Sequence, residues 1–461
     1  KQANMPYISV AHDDATGLVT ADAYTAKMTA EVKVATILHT SPVTGMAIDV
    51  ASIAAAIRAI NQGDQVTLFE VSQQVGGRAR ALEGAPGFDN GQHILIGAYT
   101  ATLQLMQRVG IDPSALLVRA PLDLRDWLQR GFAMPARSGI SPARAAAWGI
   151  WQSPWRSSSR LRTLWRMAQW QWRGFQCEPH QTVTDLCQGL PTEVMQGLID
   201  PLCISALNLP PSQASGAVFL RVLRDAVMSA PGSSDSLIPR VDLGALLPAP
   251  AIAYLRQRGA HIKLAHTVTA VQRNVVSNKW HINTQQSNLY PDAFERVVIS
   301  TPAPVAARLV AGIAPEWAET AAALQHTAIA TVYARIEGGL PRPMVATPSD
   351  NPDAAQFFFD RGALLGASQA GVVAGVVSHA VGSRESITDA VMAQLNAQLL
   401  ATAPRAQWLQ TVIEKRACFA CTPNVKRPSP KISEGLLACG DYVQGPYPST
   451  LEGAVRSAEV V

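Results

Sequence analysis

Apolar residues in this chain gather into short continuous runs more often than they alternate with polar ones, and several runs close on a polar group. Runs at 34–37, 66–69, 296–300 and 435–439 predict strands buried on both faces, as in a parallel sheet. Between the first two, residues 53–60 read as a helix, and Asn61-Gln62-Gly63-Asp64 as its stop, with Gly63 in the left-handed cap position. Further helices are expected at 100–109, 245–258 and 386–400, and across 181–228 with breaks at Pro191, Pro201 and Pro210-Pro211. Strands are expected at 261–264, 267–271, 280–283, 331–336, 356–360 and 372–379, with strand pairs around Trp127 at 122–135. Residues 1–33 are weakly patterned, with a short helix at 21–34 and no assignable chemistry.

The run 66–69 ends on Glu70, as the second strand of a dinucleotide-binding unit presents a carboxylate to a ribose. Gly76-Gly77-Arg78 follows: two glycines admit backbone amides to a pyrophosphate, and the guanidinium adds a permanent charge. A plain glycine turn with a solvated arginine fits the same letters. Asp89-Asn90-Gly91-Gln92-His93 contains the strongest short hairpin signal, and a lone histidine usually has a structural role. Near the end, a strand closes on Gly440-Asp441, and Ser449 with Glu452 three residues on reads as a capping box opening a helix.

Together Glu70, Gly76-Gly77-Arg78, the 88–99 stretch, Gly440-Asp441-Tyr442 and Thr450-Leu451-Glu452-Gly453-Ala454 resemble the amine oxidase and phytoene desaturase superfamily of FAD flavoproteins. The two longer motifs are most similar to the squalene-associated FAD-dependent desaturases, also called hydroxysqualene dehydroxylases. The resemblance runs from about residue 54 to the end. It implies an α/β fold of amine oxidase-like architecture: a discontinuous Rossmann-like FAD-binding domain at 34–98, 230–302 and 411–461, with an inserted α+β substrate domain at 99–229 and 303–410. It implies Glu70, Gly76, Gly77, Arg78, Val268, Gly440, Asp441 and Leu451 as FAD contacts, and Asp89 and His93 as proton carriers. The implied reaction is reductive removal of an allylic hydroxyl from hydroxysqualene in a bacterial hopanoid or related triterpene pathway. A carotenoid-type desaturase is the nearest rival activity.

One departure stands out. The glycine fingerprint expected between the first strand and helix is replaced by 38–53, sixteen residues with Gly45 as the single glycine. The fingerprint needs about seven residues. Either this stretch is altered relative to the family, or the chain binds flavin weakly or not at all, leaving an isoprenoid-binding or scaffold role.

Composition adds a greasy environment. The chain has 461 residues, 48% hydrophobic and 16% charged, with a net charge of +4, too small to point to nucleic acid. No run of about 20 apolar residues is free of breakers. Six irregularly spaced cysteines argue against a disulfide framework, and Cys418 and Cys421 lack a second ligand pair, so no metal site is expected. The segment 148–175 interleaves Trp148, Trp151, Trp155, Trp165, Trp170 and Trp172 with arginines, the first three at i, i+3 and i+7. This composition suits either a lipid headgroup boundary or a helical subdomain with inward aromatics. The expected location is cytoplasmic, with peripheral contact on the inner face of the cytoplasmic membrane through 148–175.

Overall fold

The computed structural model describes residues 33–37, 49–82, 88–136, 139–287, 290–347, 351–399 and 404–461. The expected helix at 21–34 and most of the departed fingerprint lie outside them, although Lys33 and Val34 belong to a strand.

The first layer is a six-stranded sheet. Its strands are β1 (Lys33–Ile37), β2 (Gln65–Phe69), β6 (His261–Lys263), β9 (Arg296–Ile299), β15 (Lys431–Ser433) and β16 (Leu436–Ala438), ordered β15-β16-β9-β1-β2-β6. All neighbours pair in parallel except the edge strand β15. Helix α1 (Asp49–Asn61) crosses from β1 to β2, and its alanine-rich surface is buried on almost every side from Val50 to Ile57. Small side chains let the sheet approach one face while the last helix, α9 (Leu451–Ala458), packs on another. Gly63 ends α1 at φ +89°, where a left-handed residue closes the turn into β2.

The second layer is a five-stranded antiparallel sheet, ordered β11 (Met344–Ala346), β12 (Phe357–Asp360), β13 (Val372–Ser378), β10 (His326–Arg335) and β14 (Gln407–Phe419). Every residue of β12 and β13 is buried, so both faces of the sheet centre are covered, one of them by α8 (Arg384–Gln398). The domain boundary expected at 411 falls inside β14. That strand pairs with β10 from His326↔Phe419 to Arg335↔Gln407, so residues up to 419 belong to the second sheet.

Two small sheets accompany them: β3 (Leu95–Ile96) with β4 (Leu117–Ala120) on β5 (Ser236–Pro239), and the hairpin β7 (Val268–Arg273) with β8 (Trp280–Thr284). The expected strand pairs at 122–135 form a short hairpin held by the Asp123↔Ala133 bridge.

A helical region completes the molecule: α2 (Thr100–Arg108), α3 (Pro142–Gln152), α4 (Ser157–Trp172), α5 (Asp200–Leu207), α6 (Gly216–Val227) and α7 (Pro248–Gln257). A wide π-helical turn, Met195–Ile199, leads directly into α5. The expected single tryptophan face does not form. Helix α3 ends at Gln152, so Trp155 lies beyond it and is buried, whereas Trp148 and Trp151 stay on α3 and are exposed.

Candidate functional site

Glu70 follows β2 directly and is fully buried. Its backbone is fixed on both sides, the amide donating to Lys263 O at 2.8 Å and the carbonyl accepting from His266 N at 2.8 Å. Its carboxylate accepts from Ser72 N at 2.6 Å. Val268, two residues beyond His266, opens β7 and is buried.

The chain then turns through Gly76 (φ +116°) and Gly77 (φ +54°). A Cβ on Gly76 would sit 2.8 Å from Ala79 O and 3.1 Å from Pro248 Cγ, so this turn closes only around a bare backbone. Arg78 emerges from it. Its Nη2 donates to Asp441 Oδ2 at 2.7 Å and its Nη1 donates to the carbonyl of Ala417. Two segments 363 residues apart are thereby joined. Burial works against the charge on Arg78, but Asp441, with Cys418 and Glu414 adding to it, raises the arginine's pKa on balance. On the Asp441 side, Gly440 N donates to Ser457 Oγ at 2.8 Å, which ties β16 to α9.

Helix α9 is capped differently from expectation. Thr450, not Ser449, is the N-cap and accepts from Gly453 N at 2.9 Å. Ser449 stands at φ +58° and donates to Phe419 O at 2.7 Å. Glu452 does not reach back to its own cap. Its buried carboxylate accepts from Ala101 N at 3.0 Å and Thr102 N at 2.9 Å, capping α2 instead. Two free amides of another helix satisfy that carboxylate better than one at its own end would.

Between these parts lies a cavity of about 1090 Å³, counting all space not filled by atoms, open solvent included. It sits beyond the carboxyl ends of β2 and β16, the usual ligand position in an open α/β sheet. One wall is polar and carries Arg78, Asn90, His93, Glu414, Cys418 and Asp441. Val50 at the start of α1 and Leu451 at the start of α9 reach the same space, so two helix N-termini open onto it. The last turn of α5 with its cap, Ile204 to Asn208, lines the cavity too. Gly76, Arg78, Asp441, Leu451 and His93 thus meet at one cavity, while Glu70, Gly77, Asp89, Val268 and Gly440 are not among its lining residues.

Asp89 departs from its expected role. Its carboxylate pairs with Arg361 Nη1 at 3.1 Å, both side chains sealed from solvent, and accepts from Leu243 N at 2.9 Å. Tyr333 holds the same residue's backbone at both the amide and the carbonyl. Burial raises the pKa of Asp89 to about 6, even though Arg361 pulls it down. A carboxylate so enclosed anchors the loop, and it is not among the residues lining the cavity.

His93 does reach the cavity. Its Nδ1 lies 2.9 Å from Gly91 O, and because a carbonyl only accepts, Nδ1 carries the hydrogen and Nε2 keeps the lone pair. Burial lowers its pKa, and nearby Arg78 lowers it further.

Sequence reasoning missed Glu414 and Cys418. Glu414 accepts from Asn90 Nδ2 at 3.0 Å, and burial raises its pKa. Burial likewise pushes the Cys418 thiol up to about 12, so it is a neutral wall group. Among the described residues, no three His, Cys, Asp or Glu side chains are grouped as a metal site.

A turn that tolerates no Cβ, a buried carboxylate after β2, a half-buried guanidinium and two helix N-termini fit an extended, phosphate-bearing dinucleotide. The protein is an FAD-dependent oxidoreductase. By its match to the family model for flavin-containing amine oxidoreductases over residues 53–460, the chain belongs to that family. It is similar to a hydroxysqualene dehydroxylase of Sinorhizobium fredii, with 23% identity over 438 residues that cover 88% of this chain and 94% of the relative. It is also similar to one of Rhodopseudomonas palustris, with 25% identity over 450 residues and the same coverage. Among solved structures, an oxidoreductase from Methanosarcina mazei superposes with a TM-score of 0.68 at 13% identity, over 93% of this chain and 99% of that one.

Proposed function

We propose that this flavoprotein removes the allylic hydroxyl of hydroxysqualene to yield squalene, in hopanoid or related triterpene biosynthesis. The carrying observation is a cavity lined both by charged and hydrogen-bonding groups, Arg78, Glu414 and Asp441 among them, and by the apolar side chains Ile204, Ala206 and Leu207 of α5, with Ser205 and Asn208 beside these. A polar cofactor and a hydrocarbon substrate have complementary requirements that such walls meet. The names of the curated relatives support the choice of substrate.

When bound, FAD supplies the redox equivalents, which no side chain of this cavity provides. Glu70 and Val268 would hold its adenosine end, Gly76, Gly77 and the N-terminus of α1 its diphosphate, and Arg78, Gly440, Asp441 and Leu451 the flavin half. These segments, with β9, form the nucleotide domain, and the antiparallel sheet and helical region the substrate domain. The α5 wall excludes water from the reacting carbon. His93 lines the same cavity, and we assign its Nε2 to the substrate hydroxyl, accepting from it when the imidazole is neutral and giving it a proton only when the imidazole is protonated. Arg144, Arg156, Arg162 and Arg173 near the exposed tryptophans of α3 and α4 favour a peripheral seat on an anionic membrane, where such a hydrocarbon dissolves. No helix among the described residues is long and apolar enough to cross a membrane.

The test is anaerobic incubation of the FAD-loaded protein with hydroxysqualene and a reductant, followed by mass spectrometry of the extract. Squalene is the expected product. Desaturation of a long polyene such as phytoene, with no squalene formed, would move the protein to the carotenoid-type desaturases.

A further inference from the structure

A second cavity, about 650 Å³ counting all space not filled by atoms, open solvent included, lies among α3, α4, α5 and α6. Ala146 and Ile150 of α3, Met167 and Trp170 of α4, Leu202 of α5 and Leu223 of α6 are among its lining. Its polar neighbours are mostly bonded elsewhere, Arg166 Nε excepted. The Thr163 hydroxyl donates to Ser159 O at 2.8 Å, and Arg166 donates to the carbonyls of Leu186 and Gln188. Ser234 adds one more hydroxyl to the border. A water needs two to four polar partners, so this space favours hydrocarbon over solvent. Protein interiors normally close such gaps.

Its position is informative. Leu202 faces this cavity and Ala206 faces the first one, and the two are i, i+4 neighbours on α5. One turn of helix therefore separates the two spaces. The outer side of the same α3 and α4 pair exposes Trp151, Trp165 and Trp172, at 52%, 60% and 87%.

We infer that the second cavity holds the far end of the substrate, a linear isoprenoid tail that passes Leu202 while the hydroxyl-bearing carbon lies against α5 in the first cavity. This rests on the proposed isoprenoid substrate. The occupant is a polyisoprenoid because Leu202 and Ala206 set this apolar space one helical turn from the site described above, within the reach of a single long hydrocarbon chain. A phospholipid acyl chain has no such tie to the first cavity.

The test uses FAD-loaded protein and a hydroxysqualene bearing a diazirine on its terminal isoprene unit, irradiated and mapped by peptide mass spectrometry. Label is expected on peptides containing Met167, Leu202 or Leu223, displaced by excess squalene but not by a phospholipid. Ala226→Phe, which fills the same cavity, is expected to reduce that label by about tenfold. If the variant does not fold, as judged by its melting temperature and flavin absorbance, the wild-type map decides alone. Label confined to Ile204 and Leu207, label displaced by phospholipid, or no label overturns the inference, whatever the turnover. Squalene-displaceable label in the second cavity without squalene production would leave the inference standing and remove the proposed reaction.

Discussion

Two arginine–aspartate pairs flank the stretch between β2 and β3, and they differ in what lies beside them. Arg78–Asp441 sits on the cavity wall, with 16% of the arginine side chain and 5% of the aspartate exposed. Arg361–Asp89 is sealed, at 1% and 2%. Each joins segments hundreds of residues apart, and each combines the same two residue types. The open pair borders space for a ligand, and the attraction of Asp441 leaves Arg78 more firmly charged. The closed pair faces only protein, and burial dominates, lifting Asp89 to about 6 despite its partner. Residue type alone does not separate a ligand contact from an anchor. The neighbouring solvent or cavity does.

The largest expected effect breaks the closed pair. Arg361→Leu leaves Asp89 buried without its cation and should lower stability by about 3–5 kcal/mol at pH 7. The loss should shrink at pH 5, where Asp89 takes up a proton. Adding Asp89→Leu should recover most of it, because a well-packed apolar pair can match a buried ion pair. Urea unfolding of the single and double variants measures both. If the double variant is as unstable as the single one, Asp89 holds the loop chiefly through other groups.

Breaking the open pair should act on cofactor more than on fold. Arg78→Ala removes a charge-assisted bond valued at about 1.5–3 kcal/mol, so FAD should bind roughly 10- to 150-fold more weakly. Flavin fluorescence titration of apoprotein reads this directly. Unchanged affinity would place Arg78 with Arg361 as an anchor and dissolve the contrast between the pairs.

The fold was readable from the sequence where local chemistry and tertiary environment agree. The runs ending on Glu70 and Asp441 are buried strands of one sheet, and Gly63 closes α1 as its position requires. Legibility failed where a residue's partner is remote. Nothing near Asp89 announces Arg361, and nothing near Glu452 announces the free amides of α2. Glu414 and Cys418 were missed because β14 has no clean alternation and slips register against β10 between Thr327 and Ile329, so its pattern does not announce a buried face. The tryptophan face was misread because Ser153-Pro154 ends α3 before Trp155, and the residue before a proline is pushed out of helical geometry.

Two smaller effects come from opposite ends of the Asp89–His93 loop and should have opposite signs. Asp89 has a folded pKa of about 6 against an ordinary aspartate value of 3.8, so the folded protein binds more protons between those values. Its contribution therefore strengthens on acidification from pH 6 to 4, by about 1–3 kcal/mol. His93 is shifted the other way by burial, so the unfolded chain binds the extra proton, and its contribution weakens as pH falls through 6.5. Relative to wild type, Asp89→Asn should lose stability progressively on acidification, whereas His93→Gln should gain it. Both comparisons come from melting temperatures at pH 7, 6, 5 and 4. At pH 7 the imidazole is neutral in both states, so the His93→Gln difference should be smallest there and grow only in acid. Parallel slopes for the two variants would mean that the sealed and open ends of the loop titrate as one unit.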